Sequence, residues 1–379
     1  MEERYIDMQR RRSGGRRAAP PRRQAPRRAS HPPRRRSVGR RLFWGLYSCL
    51  AVVSAVIVAV YLGARFVIRP PAQVPAIPPS QNAGQPAVSV GDGDVSTPAE
   101  EPGVEPGVEP LVRREQVYTV LLAATDVEGY RTDTMMVMTY DVPNQKVGVV
   151  SIPRDTLVAR SSENPKLVYG KGGVEQRVED ISQMLGIPID YYIKVNIKGF
   201  IRLVDNLGGI DFYVPCNMNY DDPAQNLSIH YTQGQYHLSG QQAMEVARFR
   251  KNNDGSGYTD VGRTQTQQKL LIALAKKVLS WSSLTKINSF VETFNKNVST
   301  DLALNDMLYF ASQAVNVDLS PGVETATLEG RGDAVYRKYT YCYELDPEKT
   351  VETVNRLLNP YTREMSLDDM NIAKAQGYR

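Results

Sequence analysis

Two clusters of charged residues carry the chemistry written into this chain. The first is Asp126, Arg131, Asp133, Arg154 and Asp155. The runs TMMVMTY (from Thr134) and KVGVVSI (from Lys146) read as two strands joined through Val142-Pro143-Asn144-Gln145, a hairpin. A turn near Asn144 sets Asp133 roughly opposite Arg154 and Asp155. Asp126 closes the preceding apolar run and is separated from Asp133 by only six residues, so all five meet at one sheet edge. Strand ends are where α/β folds hold ligands. Two carboxylates with no His or Cys near suit a hard cation such as Mg²⁺. Arg131 and Arg154 beside it suit a phosphate or pyrophosphate, whose oxygens a guanidinium grips bidentately. A purely structural Asp–Arg network fits the same five residues.

The second cluster is RFRKNNDGSGYTDVGRTQTQQ, residues 248–268. Arg248 and Arg250, two apart, share no helical face unless the helix ends there, and the polar loop from Lys251 says that it does. Asp260 opens a second helix with Arg263 in its first turn, where a cation opposes the helix dipole. An anion at that position gains from the arginine and from the free backbone N–H groups. A solvated loop between two helices is the plainer reading.

Other patterns carry less. Gly170-Lys171-Gly172-Gly173 lacks the ending of a Walker motif and reads as a loop entering a helix. No serine sits in a nucleophile elbow. His230 and His237 flank a glycine-containing turn with no evident partner. Three Cys and three His, widely scattered, form neither a zinc set nor a disulfide scaffold. Cys49 lies in an apolar run, which leaves Cys216 and Cys342 either as a disulfide or as two buried thiols.

The elements that position these residues alternate. A continuous apolar run from Val117 to Ala124 marks a strand buried on both faces. Val174, Val178, Ile181 and Leu185 form one helical stripe. A strand from Tyr191, a short helix closed by Gly208-Gly209 and a strand from Ile210 follow. Ser239-Gly240-Gln241-Gln242 is a capping box that opens a helix through Arg250. Helices from about Val261 to Leu279 and from Pro347 to Leu358 complete a layered α/β domain.

The 379 residues sum to +5, but this averages two opposed regions. Residues 1–41 hold 15 Arg against three acids, so the remainder sums to −7. A basic tail on an acidic body is not a uniformly basic nucleic-acid binder, and no nucleic-acid partner is expected. The tail is rich in Arg, Pro, Ala and Ser and is predicted to be disordered. Leu42 to Ala64 are 23 residues without a charge, about 34 Å of helix, enough for one membrane span. The Arg excess on the N-terminal side predicts an uncleaved single-pass anchor, N-terminus cytoplasmic and body outside. Residues 65–115 carry ten Pro and the repeat EPGVEPGVEP, a semi-extended linker that holds the body away from the membrane.

The ordered motifs T-D-x4-R-T-D-T-M-M, S-I-P-R-D-T, L-V-D-N-L-G-G-I-D, L-S-G-Q-Q-A-M-x3-R-F-R and D-V-G-R-x-Q-x-Q-Q resemble the LytR–CpsA–Psr (LCP) family from about Val117 to Leu279. Ala124-Thr125 stands where the family has Gly-Ser, and Thr266 where it has Arg. The resemblance implies a three-layer α/β/α domain with a central mixed sheet, spanning 116–365 and followed by a C-terminal tail, 366–379. It implies a pocket for a polyprenyl-pyrophosphate lipid and a Mg²⁺-dependent (or Mn²⁺-dependent) phosphotransfer. A glycopolymer such as teichoic acid or capsule passes to the 6-hydroxyl of peptidoglycan N-acetylmuramic acid. By motif, Asp126 and Asp133 take the metal. Arg131, Arg154, Lys166, Arg248, Arg250, Arg263 and Gln267 take the pyrophosphate. Asp260 activates the acceptor or orients the arginines, with Arg154 and Arg263 at the reacting phosphate. Alternatives are a non-catalytic lipid or glycopolymer sensor, a transcriptional attenuator and a polyprenyl pyrophosphatase.

Overall fold

The apolar run at Val117 becomes the inner strand of a mixed sheet. A computed structural model describes residues 69–77, 110–126, 131–160, 163–169, 172–280, 292, 294–319 and 322–379. The Arg-rich tail, the Leu42–Ala64 run with Cys49, the middle of the Pro-rich stretch, and Gly170 and Lys171 lie outside these. Among the described residues no helix is long and apolar enough to cross a membrane.

The sheet comprises β1 (Val117–Thr125), β2 (Thr132–Asp141), β3 (Lys146–Ile152), β4 (Tyr191–Asn196), β9 (Val298–Thr300) and β10 (Val323–Thr327). Their order is β10-β3-β2-β1-β4-β9. β1, β3, β4 and β10 run one way and β2 and β9 the other. The C-terminal ends of β1, β3, β4 and β10 therefore share one edge with the start of β2, the edge at which the first cluster was expected.

Leu121, Val137 and Val150 lie in register and fully buried on one face. Helices α1 (Gly173–Leu185) and α6 (Pro347–Leu357) cover them with Val174, Ile181, Leu185 and Val354. α6 sits so close that a Cβ on Gly148 of β3 would lie 2.0 Å from the Leu357 carbonyl oxygen, so only glycine fits there. The opposite face carries Tyr118 and Tyr140, packed by Tyr309 and Phe310 of α5 (Leu304–Ala314). Helix α4 (Asp260–Leu279) joins that face through Gln268, which donates to Ser151 (2.9 Å) and to the Ala326 carbonyl (2.7 Å). Helices cover both faces, as the alternating pattern predicts.

A second core lies among α2 (Ile197–Asn206), α3 (Gly240–Arg248), α4 and two antiparallel strand pairs, β5 (Ile210–Val214) with β8 (Gly234–Leu238) and β6 (Met218–Asp222) with β7 (Leu227–Tyr231). β11 (Gly330–Tyr336), β12 (Tyr339–Leu345) and β13 (Gly377–Tyr378) form a separate three-stranded sheet.

Two expected boundaries are corrected, the open cysteine pairing is resolved, and the two histidines gain partners. Residues 69–77, expected in the linker, are bonded into the body: Val74 N–H donates to Asp190 (2.7 Å), Gln73 to the Val117 carbonyl (2.8 Å) and Tyr118 to the Pro71 carbonyl (3.1 Å). Residues 366–379 are not a loose tail, because Met370 is buried and β13 pairs with β11. Cys216 and Cys342 are free thiols in separate apolar clusters, each with its pKa pushed up by burial, so no disulfide joins them. The histidines do have partners, His230 on Asp221 (3.0 Å) and His237 on Asp211 (2.7 Å).

Candidate functional site

The β2–β3 register pairs Met135 with Ile152, and its continuation sets Asp133 against Arg154. Their side chains meet at 3.0 Å. Arg154 Nε also donates to Asp155 (3.2 Å), and Lys166 Nζ reaches the other Asp155 oxygen at 3.4 Å. Arg131 adds a looser contact to Asp133 at 3.8 Å and stacks 5.9 Å from the Tyr169 ring centre. A register shift after Ala124 turns Asp133 out of the ladder, while the Asp126 N–H closes the loop onto the Arg131 carbonyl (3.0 Å). Asp126 and Asp133 thus flank one strand-end loop.

α3 ends at Arg248, two residues short of the expected Arg250, and the buried Phe249 follows as its C-cap. Phe249 packs against Tyr258 at 5.9 Å, which holds the intervening loop so that Arg250 returns to the start of α4. There Asp260 accepts from Arg250 (2.7 Å) and from Arg263 (2.8 Å). Thr259 caps this helix by accepting from Gly262 N–H.

The two clusters are one. Arg263 is pulled below the ordinary arginine pKa by burial first; the like charges of Arg250 and Arg154 add to it, and Asp260 and Asp133 oppose it. Residues from β2, from the turn after β3, from the turn after α3 and from α4 thus act on one charge, and the Thr134–Gln267 hydrogen bond (3.3 Å) ties α4 to β2 beside them. Burial also pulls Arg154 down, but Asp155 and Asp133 outweigh it and raise its pKa. Both guanidiniums stay charged at any physiological pH.

Two predicted contacts point elsewhere. Arg248 donates to Gln225, beyond β6, instead of joining Asp260. Gln267 spends its amide inside the protein, with Thr134 (3.3 Å) and the Ala247 carbonyl (3.1 Å), and so ties α4 to β2 and α3. Sequence reasoning missed Tyr169, Thr134 and Gln268, whose roles depend on neighbours distant in sequence.

Among the described residues no group of three or more His, Cys, Asp or Glu could hold a metal. Asp126 and Asp133 remain a two-carboxylate oxygen set. That set would suit Mg²⁺, with substrate phosphates and water supplying the other oxygen ligands. Such an edge can bind a diphosphate with its arginines and present a carboxylate to a hydroxyl.

A model of the LytR_cpsA_psr family matches residues 99–359. The polyisoprenyl-teichoic acid–peptidoglycan teichoic acid transferase TagV of Bacillus subtilis is 32% identical over 253 residues, 64% of this chain and 63% of that protein. The transferase of the same description, TagU, of Bacillus anthracis is 32% identical over 63% of this chain and 77% of its own length. The crystal structure of B. subtilis TagV superposes with a TM-score of 0.54 at 27% identity, over 63% of this chain and 95% of that one.

Proposed function

We propose, from the premise that the chain belongs to the LytR_cpsA_psr family, that it transfers a glycopolymer from a polyprenyl-pyrophosphate carrier to peptidoglycan. The relatives named above are teichoic acid transferases, and a teichoic-acid-like polymer is the substrate class taken from them. The observation that carries the reading is the gathering of Arg154, Arg250 and Arg263 around Asp133 and Asp260 at one sheet edge.

Arg154 and Arg263 bind the diphosphate oxygens and offset the charge that builds on the leaving phosphate. Asp260 holds Arg250 and Arg263 at their present angles. When phosphate takes over those guanidiniums, Asp260 is left to accept the proton of the attacking hydroxyl. The acceptor oxygen bonds to the glycan-bearing phosphorus, the phosphoanhydride bond breaks, and polyprenyl monophosphate departs. Asp126 and Asp133 would hold Mg²⁺ or Mn²⁺, which neutralises phosphate charge when bound. Localisation follows the sequence: an N-terminal anchor at Leu42–Ala64 with the body outside the cell membrane.

The test is transfer from a synthetic polyprenyl-pyrophosphate glycan to peptidoglycan fragments by the full chain in detergent, with Mg²⁺ and with chelator. Coupled product is expected only with metal, and Asp126→Ala and Arg154→Ala are each expected to lose it by at least ~10²-fold. Release of lipid phosphate without coupling would make the protein a pyrophosphatase. Tight binding without turnover would make it a sensor.

A further inference from the structure

The three-stranded sheet of β11, β12 and β13 interleaves basic and aromatic side chains. Residues 330–344 and 374–379 hold five basic side chains against two acidic ones, on a chain that sums to −7 from residue 42 onward. The Arg331 guanidinium lies 4.0 Å over the Tyr378 ring, clamped by Asp333 through two hydrogen bonds (3.1 and 2.8 Å). Arg379 lies 5.3 Å from the Tyr341 ring and donates to its hydroxyl (3.2 Å). At the hairpin tip Arg337 lies 5.1 Å from Tyr336 and Lys338 lies 5.5 Å from Tyr339. Tyr341 is 59% exposed and Tyr378 50%. Tyr341 also holds φ at 55°, a conformation that a bulky side chain adopts only where its surroundings impose it.

The position of this sheet is as informative as its composition. Tyr343 N–H donates to the Asp155 carbonyl (2.8 Å) and Leu157 N–H donates to the Tyr343 carbonyl (2.9 Å). β12 is thereby fastened to the segment that carries Arg154 and Asp155. The patch starts at the site and extends across two strand spacings, roughly 10 Å.

We infer that this sheet binds the sugar–phosphate or polyol–phosphate chain of an anionic glycopolymer, next to the diphosphate site. Guanidiniums answer the phosphodiesters and flat tyrosine rings answer the apolar faces of sugars, an alternation that matches a repeating chain. Cation–aromatic stacking holds Arg331 and Arg379 in place before the polymer arrives, so less side-chain entropy is lost on binding. The use of the surface in holding a donor polymer rests on the transferase reading; the binding itself does not.

Calorimetric titration of the full chain in detergent with a soluble glycerol-phosphate oligomer tests it, with an uncharged dextran of equal length as control. The expected result is binding of the oligomer and not of dextran. The double variant Arg331→Ala/Arg379→Ala should weaken it roughly tenfold, about 1.4 kcal/mol, with an unchanged circular dichroism spectrum and unchanged transfer from a short-chain donor. Arg154→Ala should lose transfer and keep oligomer affinity. Loss of oligomer affinity in the double variant of a chain that shows no transfer would uphold the surface and sink the transferase reading. Unchanged affinity in the double variant would overturn the surface. So would a peptidoglycan fragment that binds instead and is lost in the double variant, which would assign the sheet to the acceptor.

Discussion

Asp260 accepts from two guanidiniums that themselves come from different elements, and this sets a hierarchy among the arginines. Arg263 is partly buried and feels the charges of Arg250, Arg154, Asp133 and Asp260, so it lies at the centre of the charge cluster. Arg248 carries the same side chain but directs it to Gln225. Arg263→Ala should therefore lower kcat by about 10²-fold or more. Arg248→Ala should change kcat/KM by under about threefold, since an exposed polar contact contributes roughly 0.5 kcal/mol. Steady-state kinetics on both variants checks the ordering, and equal losses would return Arg248 to the site. Much of this site was legible in the sequence. The spacing from Asp126 to Asp133, and the hairpin turn that sets Asp133 against Arg154, are local. The directions of Arg248 and Gln267 were not legible, because their partners Gln225, Thr134 and Ala247 come together only through tertiary packing.

At the scale of elements, the segment after β3 must be held still for Lys166 and Tyr169 to face the arginines. It is wound around Arg160. That guanidinium donates to the carbonyls of Asn164 (2.9 Å), Lys166 (3.3 Å) and Tyr169, and pairs with Asp180 of α1 in an almost fully buried contact. Arg177, also buried, donates to the Val168 carbonyl (3.1 Å). Removing one member of a buried ion pair leaves the other charged and desolvated. Arg160→Ala should thus lower unfolding stability by about 3–5 kcal/mol in urea titration. A loss below ~1 kcal/mol would mean that solvent replaces the pair. The sequence did not show this device, because a buried Arg–Asp pair twenty residues apart looks like two surface charges. Elements with a clear apolar period were legible: β3, α1 and β5 lie where the pattern placed them, whereas β6, β7 and β11 are polar or irregular in register.

At the scale of the whole molecule, the family match from 99 to 359 leaves out two pieces that the fold uses, residues 360–379 with β13 and residues 69–77. The second piece takes part in a buried polar hub. Asp190, whose side chain is 0% exposed, accepts from Val74 N–H, from both Arg113 nitrogens (2.9 Å each) and from Thr119 N–H (2.8 Å). Gln73 also accepts from Gln116 N–H (3.1 Å), at a residue held in the left-handed region with φ of 57°. Deleting the segment opens one side of this hub to water and leaves the start of β1 without those bonds. Each hydrogen bond to a charged group contributes about 1.5–3 kcal/mol, and a domain of this size shifts by about 2–4 °C per kcal/mol. A body beginning at residue 110 is therefore expected to melt about 4–10 °C below one beginning at residue 69, measured by calorimetry on the two soluble proteins. The Asp190→Asn variant should reduce most of that difference, because it removes the charge that the segment helps to satisfy. Equal melting temperatures for the two bodies would show that residues 69–77 rest on the domain without stabilising it, and would return them to the linker that their proline content suggests.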